Sequence, residues 1–337
     1  MKRLQNKKYS PWWTYSIAIA LLLTAITLGL ALGSTAISPS EVWNVLVDRS
    51  RSDATARIVR YVRLPRTVAA LLCGAALSVS GAVIQGVLAN RLASPSVIGV
   101  NAGAGLAVTL CAACGVLSGW KISLFAFLGA FATVMLVSFC AKLWGASRST
   151  VILMGVAMNS LLGAFSDTVI TLEPTVGLTT SAFKIGDFSS VTYAKLIPSA
   201  VGIVAALLIL LTLANELDVL TLGEERAQGL GLHTGAWRVI FLALAAVLAG
   251  AAVSLAGLLS FVGLLVPHAV RRIAGPESRS RLLLCALYGA GFVALSDTLA
   301  RTLFAPYELP VGILMAFLGA PFFLFILIRG KGGRSRA

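Results

Sequence analysis

Ten apolar segments, most of them about 20 residues long, follow one another with only short polar interruptions, and this repetition constrains the fold more than any motif does. A helix needs about 20 mainly apolar residues to cross a hydrocarbon core ~30 Å thick. The segments fall at about residues 15–36, 66–88, 97–117, 122–143, 149–171, 196–214, 236–253, 257–270, 281–303 and 310–328. Inside a bilayer every backbone N–H and C=O must find its partner within the protein, so runs of this length read as helices. Hydrophobic residues make up 58%, charged residues only 12%, and mean hydropathy is +0.91. A soluble domain carries about a quarter charged residues, so the chain reads as an all-α polytopic membrane protein. About ten transmembrane helices form one domain over residues 1–337.

The net charge of +14 is spread over loops and tails. No basic stripe interleaved with aromatics appears, which argues against nucleic acid as a partner. If the basic start (Lys2, Arg3, Lys7, Lys8) is cytoplasmic, ten crossings return the basic end (Arg329, Lys331, Arg334, Arg336) to the same side. Of the 27 Lys and Arg residues, 17 then lie inside and 10 outside, the sense of the positive-inside rule. The first apolar run is longer than the 7–15 residues of a signal-peptide core and reads as an uncleaved span. Cys73, Cys111, Cys114, Cys140 and Cys285 all sit in apolar runs and read as small core residues, with no metal site.

Six of the ten outside charges crowd into residues 49–66, which end R-Y-V-R-L-P-R. Pro65 suits a first helical turn, which would put Arg63 and Arg66 at the start of the second span. Cations are disfavoured at that helix end. Two readings stand: the arginines pair with lipid phosphate or with Asp48 and Asp53, or they await an acidic partner. On the other side, residues 257–281 (GLLSFVGLLVPHAVRRIAGPESRSR) run from an apolar stretch into a basic turn broken by Gly and Pro. That turn reads either as a stop that fixes topology or as a surface for a cytoplasmic partner.

Other local signals are weaker. Residues 72–81 (LCGAALSVSG) match residues 248–257 (LAGAAVSLAG), and parity runs them in opposite directions, as an inverted repeat requires. Small residues at Gly74, Ala75, Ser78, Gly81, Gly103 and Gly105 permit close helix approach. In T-L-G-E-E-R-A-Q-G-L-G, Thr221 and Glu224 have capping-box spacing, while Gly229 and Gly231 read as helix stops. An amphipathic cytoplasmic helix is expected there. Asp297 and Arg301 form an i,i+4 pair. There is no G-x-x-x-x-G-K-[ST], so ATP use would have to come from another subunit. H-E-x-x-H is also absent, and the only histidines, His233 and His268, lie at the cytoplasmic edge. No catalytic residue is nominated. An ion-driven carrier would want midplane carboxylates, but Asp167 and Asp297 lie toward the outside.

R-L-P-R ending at Arg66, S-F-V-G-L-L-V-P-H at 260–268 with R-R at 271–272, and E-L-P-V-G at 308–312 occur in that order. Together they resemble the permease subunit of the iron-siderophore and vitamin B12 (FecCD-type) ABC importer family, from about residue 39 to 329. The resemblance implies a type II ABC importer permease fold and a second permease subunit, identical or related. It also implies two ATP-binding subunits that use ATP and Mg, an external substrate-binding protein, and no cofactor on this chain. By the same resemblance, Arg63 and Arg66 of the external segment 38–66, with Arg301, receive glutamates of the binding protein. The segment at about 266–281, with Pro267, His268, Arg271, Arg272, Gly275 and Pro276, receives the ATPase. Ser78, Gly81, Asn90 and Leu92 border the pathway and its gate. Arg91 departs from the proline usual in the family turn, and Phe183–Asp187 departs from the family's aromatic-x-G-S. The implied setting is the bacterial inner (plasma) membrane, contacting lipid, with both termini cytoplasmic. The implied cargo is a ferric siderophore, with cobalamin or haem as alternatives.

Overall fold

Helix α4 is the post around which the other helices stand, and its sequence explains why. The computed structural model describes residues 12–33, 35–116 and 119–331. The tail charges Lys2, Arg3, Lys7, Lys8, Arg334 and Arg336, and the side chains of Arg329 and Lys331, lie outside what is described. In chain order the helices are α1 (Trp12–Ala31), α2 (Pro39–Val47), α3 (Ala54–Ile58), α4 (Leu64–Val87), α5 (Val100–Ala113), α6 (Trp120–Leu143), α7 (Arg148–Leu172) and α8 (Pro174–Ile185). They continue with α9 (Tyr193–Thr212), α10 (Ala214–Thr221), α11 (Glu224–Gly229), α12 (Thr234–Ala256), α13 (Val262–Val270), α14 (Ser278–Thr302) and α15 (Val311–Lys331). No strand occurs among the described residues.

Nearly every residue of α4 is buried. It packs on α14, α12, α13 and α9. That many neighbours can approach because α4 presents small residues: a Cβ at Gly74 would stand 2.1 Å from the Gly289 carbonyl oxygen, and one at Gly81 only 1.8 Å from that of Gly263. Such approach is how membrane helices gain van der Waals contact where lipid offers no hydrophobic drive. The two copies of the repeat lie in α4 and α12. Ser80 Oγ donates to Ala245 O (2.7 Å) and Cys73 Sγ to Ala252 O (3.4 Å), so higher numbers on one helix meet lower numbers on the other. The copies run antiparallel.

Seven helical runs are long and apolar enough to cross a membrane: α1, the run Ala54–Val87, α6, α7, α9, α12 and α14. α5 and the described part of α15 are shorter apolar helices. The expected span at 257–270 is corrected. After α12 the chain turns at Gly257 (φ +72°), runs without helix to Phe261 (φ +65°), and only then forms α13. Nine residues rise about 14 Å, under half the hydrocarbon core. A break at membrane depth is tolerated where the backbone is enclosed by protein, and this one is. Leu258 N donates to Phe183 O (2.9 Å), Asp187 N to Ala256 O (2.7 Å) and Gly312 N to Gly186 O (3.0 Å), tying the ends of α8, α12 and α15 together.

Two further expectations change. The second span does not begin at Pro65: α3, a π-helical stretch (Val59–Arg63) and α4 form one run from Ala54. Thr221 and Glu224 do not form a capping box either. Gly223 (φ +109°) is the N-cap of α11, and Thr221 instead donates to Asp218 O at 2.8 Å inside α10. The turn at Gly223 divides the expected amphipathic helix into α10 and α11, and α11 ends at Gly229 as its sequence suggests.

Candidate functional site

Arginines gather at both ends of the bundle, but in different company. At the end where α1 finishes, Arg66 Nε donates to both oxygens of Asp297 (3.2 and 3.1 Å), and its Nη2 donates to Oδ1 (3.0 Å). Nη1 donates to Glu308 Oε2 at 2.7 Å, and Nη2 stands 3.5 Å from Asp187 Oδ1. Arg301 completes the set, its Nε 3.2 Å from Asp297 Oδ2 and its Nη2 donating to Gly29 O at 3.1 Å. Arg63 turns to the backbone, where Nη1 donates to Leu30 O (2.8 Å) and Ala31 O (2.7 Å) and Nη2 to Thr35 O. Four residues from α4, α14 and the π-helical stretch before α4 are thereby closed off: Arg63, Arg66, Arg301 and Asp297 are 3, 5, 3 and 1% exposed.

The local cause is the C-terminus of α1. Its last carbonyls lack intrahelical partners and carry partial negative charge, so cations are favoured there. Arg63 and Arg301 supply them. Charges that looked doubly unfavourable at the start of α4 are favourable at the end of α1. Arg63, Arg66 and Arg301, the residues expected to receive a binding protein, are thus closed off here, with most of their donors engaged within the chain, although Arg301 Nε, 3.2 Å from Asp297 Oδ2, makes no hydrogen bond. Asp187 and Glu308 join this knot without having been singled out. Glu308 had only its motif, E-L-P-V-G, to mark it, and Asp187 lay in the stretch that departs from the family pattern. The arginines left exposed on this end are Arg49 and Arg57.

At the opposite end, α13 closes in a turn. Pro267 is buried within α13, and Gly275 and Pro276 lie between α13 and α14. The turn is anchored by Ser278 N donating to Asp218 Oδ1 (2.9 Å) and by Arg281, whose Nη2 donates to Ser278 Oγ (2.6 Å). Arg272 is exposed, with Nη2 3.5 Å from His268 Nε2. Arg271 is pulled below the ordinary guanidinium value by burial and then by the charges of Arg281 and Arg91. Among the described residues no carboxylate lies within ion-pair distance of Arg91, Arg271 or Arg272. Here the arginines are gathered and left unneutralised.

The gate residues separate into two pairs. Ser78 and Gly81 are enclosed, Ser78 facing Gly289 of α14 and Gly81 facing Gly263 of α13. Both serve close helix packing. Asn90 and Leu92 lie in the turn after α4, where Asn90 Oδ1 accepts from Leu92 N (2.8 Å) and Leu92 is 43% exposed. α7 presents Ser160, Asp167, Thr168 and Thr171 on its exposed surface, an unusual set for a helix facing lipid.

An all-helical bundle centred on one buried helix, with an inverted pair and a broken helix, is the type II ABC transporter permease fold. A solved metal-chelate-type ABC transporter in an inward-facing conformation superposes with a TM-score of 0.83 at 28% identity, covering 95% of this chain and 99% of the other. Residues 21–329 match the FecCD transport family, and the chain belongs to it. The ABC transporter permease protein YvrB of Bacillus subtilis is 37% identical over 99% of this chain and 98% of its own length. The iron(3+)-hydroxamate import system permease protein FhuB of B. subtilis is 34% identical, covering 94% and 83%. The vitamin B12 import system permease protein BtuC of Escherichia coli is 34% identical, covering 98% of each.

Proposed function

We propose that this chain is the membrane-spanning permease of an ATP-driven importer that passes an iron chelate, a ferric siderophore, from an external binding protein to the cytoplasm. The observation that carries the reading is the unneutralised arginine turn after α13, on a fold shared with a metal-chelate transporter. Short loops rich in unpaired Lys and Arg belong on the cytoplasmic side, and in that orientation both termini would be inside. A cytosolic ATPase, two copies per pair of permeases, would complement Arg91, Arg271 and Arg272. ATP and Mg would be bound there, not on this chain. A second permease would cover the polar surface of α7, with Asn90 and Leu92 at the cytoplasmic mouth.

Outside, an acidic binding protein would meet Arg49 and Arg57 first. Direct engagement of Arg66 and Arg301 would require Asp297 and Glu308 to release them, and Arg63 would have to leave the carbonyls of Leu30, Ala31 and Thr35. Ion-coupled transport is disfavoured because Asp297, the buried carboxylate, is held by two arginines and has no free edge for a proton or cation.

A relative named for achromobactin transport, 36% identical, stands with the one named for iron(3+)-hydroxamate import on the side of an iron chelate. The one named for vitamin B12 import keeps cobalamin as the second reading. Uptake of radiolabelled ferric hydroxamate, cobalamin and haem into vesicles holding the chain with its ATPase and binding protein separates them. ATP-dependent uptake of the ferric chelate alone is the expected result, and no ATP-dependent uptake of any of the three would overturn the reading.

A further inference from the structure

A cavity of about 590 Å³ opens between α1, α13, α14 and α15, lined by Leu21, Leu265, Ile273, Phe292, Leu299 and Phe322 among others. Its only hydroxyl-bearing lining residues are Ser296 and Tyr288, and the Tyr288 hydroxyl is committed to Thr14 O at 3.0 Å. A cavity this apolar does not hold water, which needs two or more polar partners. Nor does it offer groups to orient a polar chelate. It therefore lies apart from the transport path.

Its dimensions and position point to the bilayer itself. On α14 the lining runs from Tyr288 to Leu299, about 16 Å of helix rise. That stretch lies toward the α1 end, Leu299 standing two residues before Arg301, while Val270 and Ile273 carry the lining to the α13 end, so the cavity runs along much of a ~30 Å hydrocarbon core. Four lining residues, Ala269, Leu299, Leu318 and Phe322, are exposed, so a chain can enter sideways. At the α13 end the rim turns cationic. The Phe322 ring meets the His268 ring edge-on at 6.5 Å, and His268 lies 3.5 Å from the exposed Arg272 guanidinium. Arg272 has no carboxylate within ion-pair distance among the described residues. A guanidinium presents paired donors that fit a phosphate, and basic groups at a membrane surface recruit anionic lipid.

We propose that this cavity binds one acyl chain of an anionic phospholipid, with the lipid phosphate on Arg272 where no ATPase covers that side chain. The full chain, purified and stripped of lipid, would be titrated with palmitoyl-oleoyl phosphatidylglycerol or phosphatidylcholine. Retention would be read by native mass spectrometry and melting temperature by fluorescence. The wild type is expected to retain one phosphatidylglycerol and to melt higher with it than with phosphatidylcholine. Ala269→Trp, which fills the cavity, should weaken retention at least tenfold, and Leu318→Trp at the rim serves if the first variant does not fold. Arg272→Gln should retain both lipids alike, losing the preference for the anionic one. Equal retention of phosphatidylglycerol by the filled variant, or an undiminished anionic preference in Arg272→Gln, would overturn the proposal. Neither readout involves transport, so the outcome is independent of the proposed cargo and direction.

Discussion

The two arginine-rich ends of this bundle differ in one respect: where the counter-charge is. At the α1 end, Arg63, Arg66 and Arg301 are matched by Asp187, Asp297, Glu308 and the last carbonyls of α1, all within the chain. At the α13 end, Arg91, Arg271 and Arg272 have no such match among the described residues. A buried guanidinium without a partner is costly, so the first set had to be neutralised for the helices to pack at all. In the second set Arg91 and Arg272 are exposed to water and Arg271 is half-buried, and the set is free to be neutralised by something else. Arginine content alone does not distinguish a structural knot from a contact surface. The position of the nearest carboxylate does.

The sharpest way to break the comparison is Asp297→Asn. It removes the carboxylate that holds both Arg66 and Arg301 and leaves two buried cations with one partner fewer. Breaking a buried pair from one side typically costs about 3–5 kcal/mol. We expect a chain that melts far lower in detergent or fails to accumulate in the membrane, whereas Asp297→Leu combined with Arg66→Leu should recover much of the loss. If the single variant melts like the wild type, the knot is not structural.

At the other end the expectation reverses. Arg271→Glu with Arg272→Glu should lower the melting temperature far less than Asp297→Asn does: Arg272 is exposed and Arg271, though half-buried, holds no carboxylate, and surface substitutions usually change stability by less than about 0.5 kcal/mol. Function should suffer: charge-assisted hydrogen bonds contribute about 1.5–3 kcal/mol each, enough to weaken association with the ATPase tenfold or more. Uptake should fall while the detached ATPase still hydrolyses ATP. Coupled transport at the wild-type rate would remove the contact role from this turn.

Much of this was legible in the sequence, and the failures share a cause. Apolar run length located the helices because the bilayer imposes a length that the chain must meet. The repeat at 72–81 and 248–257 foretold the antiparallel α4–α12 pair because small residues serve the same packing need in both copies. What could not be read was which ends of different helices lie side by side. Arg63 looked misplaced at the start of α4 only because its real neighbour, the C-terminus of α1, is some 30 residues away. That Ser78 and Gly81 face other backbones could not be read either, because a small residue reads the same whether it faces a void or another helix. The break after Gly257 was masked by apolar residues on both sides of it.

A gentler test concerns which arginines an external partner meets. Arg49→Ala with Arg57→Ala changes only exposed groups, and an exposed ion pair is worth about 0.2–1 kcal/mol. Binding-protein affinity should therefore drop by up to about fivefold per residue at low salt. The difference should shrink at high salt, where the screening length falls to about 3 Å at 1 M. Unchanged affinity at low salt would move the contact elsewhere on this face.

The smallest effect is expected from Glu308→Gln, and it decides how the knot is organised. Glu308 accepts the shortest of the bonds Arg66 makes, 2.7 Å, yet its side chain is 38% exposed against 1% for Asp297. Water already screens that charge, and glutamine can still accept from Nη1. Arg66 meanwhile keeps three donated bonds to Asp297 and its proximity to Asp187. The cost should be at most about 1 kcal/mol, seen as a small drop in melting temperature that vanishes at high salt. A loss as large as that of Asp297→Asn would mean that the carboxylates act as one cooperative network, in which polarised hydrogen bonds strengthen one another. The knot would then have no soft outer edge, and a docking partner could not exchange with Glu308 without loosening the ends of α1, α4 and α14 together.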